Sequence, residues 1–153
     1  LYEKALNHDY TERFIGDIKT PVKYATNELR TMLAKVDESL TENFIQTEIP
    51  VEFRAAYERR FAEGKDDTLE GKILSVADKI DLMYESFGEI QKGNPEPVYM
   101  DIYRSSLKAI MKFNDMASVQ YFLKMILPEL LKDNANTNAQ NHLAIMTTQI
   151  IQQ

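Results

Sequence analysis

The chain has no cysteine and no tryptophan, only two histidines, five glycines and five prolines. Without cysteine there are no disulfides and no thiolate zinc sites, so any metal must be held by His, Asp and Glu. No apolar run approaches the roughly 20 residues that cross a bilayer. The opening residues lack the charged-then-apolar pattern of a secretory leader, and a cytoplasmic location is expected. A basic excess is also missing: 18 Lys and Arg stand against 24 Asp and Glu, a formal charge of −6. Nucleic acid polymers need a positive surface, so none is expected as a partner, and neither is a membrane. A small anion stays compatible, because Lys19 and Lys23 lie near an acidic cluster and a bound cation would reverse the local field.

What is present is helical periodicity. Apolar residues recur at Leu29, Leu33, Val36, Leu40 and Phe44, at Phe53, Tyr57 and Phe61, and at Ile73, Ala77, Ile80, Tyr84 and Phe87. The pattern resumes at Tyr103, Leu107 and Ile110, at Val119, Phe122, Ile126 and Leu130, and at Leu143, Met146 and Ile150. Strand-like alternation bounded by hairpin turns does not compete with it, so the fold class is all-α. The tyrosines in these stripes read as core. The length fits one domain, spanning 1–153, with residues 95–153 of unassigned role.

Breaks are expected where turn chemistry concentrates. Gly16 and Pro21 bracket a loop, Pro50 suits a first helical turn, and Thr68 suits an N-cap after the turn from Gly64 to Asp67. Gly93-Asn94-Pro95-Glu96-Pro97 reads as an inter-helix turn, and Pro128 should kink or divide its helix. The tract from Asp133 to Asn138 reads as a loop by composition.

Chemistry concentrates near the start. His8-Asp9-Tyr10-Thr11-Glu12 is followed by Gly16-Asp17 and by Thr20-Pro21-Val22-Lys23-Tyr24. Imidazole beside carboxylate suits a divalent transition metal better than calcium, which prefers oxygen alone. On a helix advancing about 100° per residue, His8, Asp9 and Glu12 would converge, giving two ligands and one acid to orient water. The bland alternative is a set of surface polars at a helix end. Asp78 stands apart, flanked one turn away by Leu74 and Leu82, so it interrupts an apolar stripe. A carboxylate there requires a cation or donors, which a metal or an Arg or Lys would supply. Asp17 could hold a water or a substrate hydroxyl, or cap a turn. Asp81 and Glu85 continue on the face of Asp78 and read as solvated or as supports behind the ligand, His142 as a surface residue, and Arg54, Arg59 and Arg60 as a solvated face.

These motifs together resemble the HD-domain phosphohydrolases, and within them the bacterial YfbR-like 5'-deoxyribonucleotidases, over residues 1 to about 92. The resemblance implies an HD-domain-like bundle of about six to seven helices holding a divalent metal, cobalt, manganese or similar. It implies removal of phosphate from deoxyribonucleoside 5'-monophosphates. It assigns His8, Asp9 and Asp78 as metal ligands and Glu12 and Asp17 as the acids that position water and the sugar. Thr20 and Lys23 would border the nucleotide. The family pattern also has a histidine well upstream of the H-D pair, whereas the seven residues before His8 contain none. The expectation is an N-terminal region, absent from this chain, that carries that ligand. Its helices would have covered apolar surface, which a homodimer could cover instead. The alternatives are a non-catalytic helical nucleotide- or protein-binding module with a degenerate site, or an HD hydrolase acting on another nucleotide.

Overall fold

Helix ends in this protein fall where the backbone chemistry forces them. The computed structural model describes residues 1–16, 18–23, 25–62, 64–132 and 137–152. Three short helices, α1 (Tyr2–Asn7), α2 (Glu12–Ile15) and α3 (Thr20–Lys23), precede the long α4 (Asn27–Glu48) and α5 (Val51–Ala62). Next come α6 (Leu69–Gln91), α7 (Pro97–Met111), α8 (Ala117–Tyr121), α9 (Leu127–Lys132) and α10 (Thr137–Ile151). A π-helical turn, Phe122–Ile126, fuses α8 to α9. No strand occurs among the described residues, as the all-α reading expects.

Each stop has a cause. Thr26 caps α4, its Oγ1 accepting from the Leu29 N–H at 3.1 Å. Ile49, which precedes Pro50, sits in the extended region (φ −95°, ψ 126°), where the proline ring drives it, and this ends α4. Thr68 caps α6 as expected, accepting from the Gly71 N–H at 3.2 Å. At the other end of α6, Gly93 takes φ +80°, and the Asn94 and Gly93 N–H groups bond back to Glu89 and Ile90 carbonyls. That paired closure is a Schellman motif, and it needs the left-handed residue that glycine supplies. Pro97 then opens α7.

Pro128 does not divide its helix. The preceding turn widens instead, with the Leu127 N–H bonding Phe122 O, five residues back. A π-turn absorbs the missing donor and the ring's bulk without ending the helix. The loop expected from Asp133 to Asn138 is shorter than its composition suggests, because α10 already starts at Thr137; residues 133–136 lie outside the described ones.

The chain separates into two compact units, Leu1–Leu74 and Ser75–Gln153, with the boundary inside α6. The second unit holds a dense core. Met83, Tyr103, Leu107, Ile110 and Val119 are fully buried there, joined by Phe87, Ile90, Leu127, Leu143, Met146 and Ile150. Its buried hydroxyls are mostly paired: Tyr103 OH lies 2.9 Å from Thr147 Oγ1, and Ser86 Oγ donates to Met83 O. On α6 the buried positions are Gly71, Leu74, Val76, Met83, Ser86, Phe87 and Ile90, whereas Ile73, Ala77 and Tyr84 are exposed. The helix carries two overlapping apolar stripes, and periodicity alone could not choose between them.

The first unit is held differently. Ile45 is its buried α4 residue, and Val36, Val51 and Phe53 are exposed. Cohesion comes from an aromatic cluster: Tyr10 stacks on Phe61 at 5.3 Å and 11°, and Phe44 lies 5.5 Å from Tyr10 and 5.2 Å from Phe14. Such pairs contribute roughly 0.5–1.5 kcal/mol each beyond the area they bury. Asp66 adds a polar tie, accepting from Lys4 Nζ at 2.6 Å and from Thr68 Oγ1 at 2.5 Å. These bonds, Lys4 first, lower the Asp66 carboxyl from 3.8 to about 2. Arg54 is not merely solvated: it donates to the Ile49 and Gln46 carbonyls and so caps the C-terminus of α4.

Candidate active site

His8 and Asp9 do not lie on a helix. α1 ends at Asn7, and the chain passes from there into α2 through a tight turn. The N–H groups of Tyr10, Glu12, Arg13 and Phe14 each bond the carbonyl three residues back, at 3.0 to 3.3 Å. This is 3₁₀ geometry, advancing about 120° per residue, so Asp9 and Glu12 stand one above the other. Asp9 and Glu12 therefore share a face although the expected α-helix does not form.

The turn is anchored by the aromatic cluster. Tyr10 is wedged between Phe44 and Phe61, and Arg13 hydrogen-bonds its hydroxyl while lying 5.1 Å from its ring centre. Burying Tyr10 on one side turns its neighbours to the other. Gly64 supports the same turn from behind, for a β-carbon there would sit 3.1 Å from His8 Cβ. Gly16 closes α2 with φ 85° and ψ 162°, a conformation open essentially to glycine alone, and its N–H bonds Glu12 O at 2.7 Å.

A cleft of about 290 Å³ results, lined by His8, Asp9, Thr11 and Glu12 from the turn, by Ile15, Gly16, Ile18 and Lys23, and by Arg30, Leu33, Ala34 and Asp37 of α4. Carboxylates and cations thus share one cavity with an apolar wall. Lys23 Nζ donates to Glu12 Oε1 at 2.8 Å and so orients that carboxylate at the cleft.

The His8 imidazole is oriented by its own helix. Nδ1 lies 2.9 Å from Ala5 O and donates there, which turns Nε2 towards Asp9. Asp9 Oδ2 lies 2.7 Å from that Nε2. This is the length of a charge-assisted hydrogen bond, and it also brings a nitrogen and an oxygen donor close enough together to face one cation. A carbonyl-oriented imidazole beside a carboxylate is the donor set and second-sphere bond that bind a divalent transition metal, so the residues fit one. Among the described residues, no group of three His, Asp or Glu side chains is assembled to hold an ion.

The remaining expected residues are distributed as follows. Asp78 belongs to the second unit, half-buried on α6, with Lys79 Nζ donating to its Oδ2 at 3.1 Å. Asp17 lies outside the described residues, as does the side chain of Thr20. Asp81, Glu85 and His142 are exposed, as expected. Arg30 and Asp37 were missed, although their spacing of seven residues puts both on one face of α4. Tyr10 and Phe14 were missed as anchors; their i,i+4 spacing was the available signal.

Residues 1–130 match the family described as 5'-deoxynucleotidase YfbR-like. The chain belongs to that family. A 5'-deoxynucleotidase of Shewanella oneidensis is 29% identical over 124 residues, covering 81% of this chain and 62% of the relative. One from Pasteurella multocida is 26% identical over 128 residues, covering 84% and 64%. The solved structure of an HD-domain phosphohydrolase from Listeria innocua superposes with a TM-score of 0.80 at 57% identity, over 99% of this chain and 71% of that one. The all-α HD-domain fold follows. The chain spans less than two thirds of the length of the curated relatives it matches. Among the described residues, no helix is long and apolar enough to cross a membrane.

Proposed function

We propose that the cleft beneath the His8–Glu12 turn serves a metal-dependent phosphohydrolase acting on deoxyribonucleoside 5'-monophosphates. One observation carries the reading: His8 Nε2 and Asp9 Oδ2 converge to 2.7 Å while Nδ1 is committed to Ala5 O. His8 and Asp9 would hold the ion. A divalent metal, when bound, acidifies a ligated water and neutralises phosphate charge. Cobalt and manganese are the ions proposed.

The chain's own groups supply positioning. Glu12, held by Lys23, offers a fixed carboxylate oxygen that accepts a proton from water and aligns its lone pair towards phosphorus. Asp17 is proposed to accept from the sugar, while Thr20 and Lys23 border the nucleotide. Leu33 and Ala34 provide the apolar wall on which a sugar or base packs. Phosphate-ester hydrolysis needs alignment and charge neutralisation more than covalent participation, which this cleft's lack of serine and cysteine fits. We further propose that the protein works in the cytoplasm, as a homodimer.

The decisive experiment is metal analysis of protein purified without chelator, beside phosphate release from a panel of deoxynucleoside monophosphates with cobalt, manganese or magnesium. Stoichiometric metal that is lost in Asp9→Ala, with monophosphates hydrolysed, is expected. No metal in either protein would leave a non-catalytic module as the reading. Hydrolysis of triphosphates alone would assign the site to another nucleotide.

A further inference from the structure

The second unit contains a cleft that the hydrolytic site does not use. α7 packs on α10, and between them lies a cavity of about 390 Å³ lined by Arg104, Lys108, His142, Ile145, Met146, Gln149 and Ile150. That volume falls within the roughly 300–1,000 Å³ of small-molecule sites. Three of the seven are basic, in a chain whose formal charge is −6. The local composition differs too: residues 97–153 carry five Lys and Arg against four Asp and Glu, where residues 1–96 carry 13 against 20.

Folding alone gives no reason for this grouping. Arg104 and Lys108 sit at i and i+4 on α7, where like charges repel. Arg104 pairs with Asp101 at 3.0 Å, an exposed contact that is readily exchanged. Neither Lys108 nor His142 has a hydrogen-bond or ion-pair partner among the described residues. Beside these cations lies apolar surface: Ile145 is 59% exposed, above the buried Met146 and Ile150, and Gln149 offers an amide donor and acceptor.

We propose that this cleft binds a nucleotide. Its phosphates meet Arg104, Lys108 and His142, its base lies on Ile145, and Gln149 reads the base edge. A bare inorganic anion would leave the apolar part uncovered, and an apolar ligand would leave the cations unmatched. Arg104 and Lys108 lie within residues 1–130, which the family match covers, whereas His142, Ile145 and Gln149 lie past it.

Deoxyadenosine triphosphate and inorganic tripolyphosphate, titrated into isotopically labelled protein by NMR, test this directly. The nucleotide should shift amides of α7 and residues 142–150, and should bind at least tenfold more tightly than tripolyphosphate. The double variant Arg104→Gln, Lys108→Gln should weaken it at least tenfold; both side chains are exposed, and an unchanged amide spectrum elsewhere verifies the fold. Gln149→Ala should weaken the nucleotide while leaving tripolyphosphate unaffected. Equal binding by wild type and double variant, shifts confined to the His8–Asp37 cleft, or no shift at millimolar nucleotide would each overturn the proposal.

Discussion

Gly64→Ala tests whether the turn carrying the H-D pair is placed by close packing. The added β-carbon would stand 3.1 Å from His8 Cβ, where ordinary carbon contact begins near 3.4 Å. One side must therefore retreat by a few tenths of an ångström. His8 has little freedom to do so, because Nδ1 is tied to Ala5 O and Nε2 faces Asp9. Overpacking costs about 1–3 kcal/mol, and loss of glycine's unfolded-state freedom offsets about 0.4–1 of that. A net destabilisation of roughly 0.5–2 kcal/mol should appear in chemical unfolding. Metal ligands tolerate only about ±0.2 Å in their bond lengths, so the same shift should weaken metal binding about tenfold or more. Isothermal titration with manganese and cobalt reads the second effect separately from the first. Affinity within twofold of wild type, at any stability, would refute the claim that Gly64 sets the position of His8.

Glu12→Gln keeps the shape of the cleft and the bond from Lys23 but removes the proton acceptor; kcat should fall roughly 10²–10⁴-fold with metal content unchanged, measured by phosphate release. Asp66→Asn should abolish a pH-dependent part of stability. With the folded carboxyl at about 2 against 3.8 unfolded, that part is complete above 3.8 and vanishes as pH falls towards 2, so the melting-temperature gap between wild type and variant should narrow over that interval. Gly71→Ala would drive a β-carbon into Asp66, including its backbone, and should cost about 1–3 kcal/mol by urea denaturation. Leu107→Ala, at a fully buried position, should cost about 2–5 kcal/mol in the same assay.

Much of the second unit was legible in the sequence because its helices have one dominant apolar face. Tyr103, Leu107 and Ile110, and Leu143, Met146 and Ile150, recur at helical spacing and are buried accordingly. Where two stripes overlap, as on α6, the partner helices choose between them, and a single helix's pattern holds no information about its partners. The first unit was less legible for a related reason. α4 repeats apolar residues over 22 positions, yet Ile45 is its one buried residue, because aromatic contacts made by Tyr10 and Phe14 do the work that a buried stripe does elsewhere.

The site shows the same division between chemistry and support. His8, Asp9 and Glu12 could be picked out because few residue types ligate a metal or accept a proton, and Lys23 because its charge lies beside them. Their supports are drawn from residues that any surface might use: a glycine at 64, a backbone carbonyl at Ala5, an aromatic ring at Tyr10. Even the mistaken assumption of an α-helix over His8–Glu12 kept Asp9 and Glu12 together, since a spacing of three residues shares a face to within about 60° in both helix types. What that error would have hidden is the pairing itself. In an ideal α-helix, adjacent residues such as His8 and Asp9 diverge by about 100°. The 2.7 Å approach of their side chains at the end of α1 is a contact that backbone periodicity does not report.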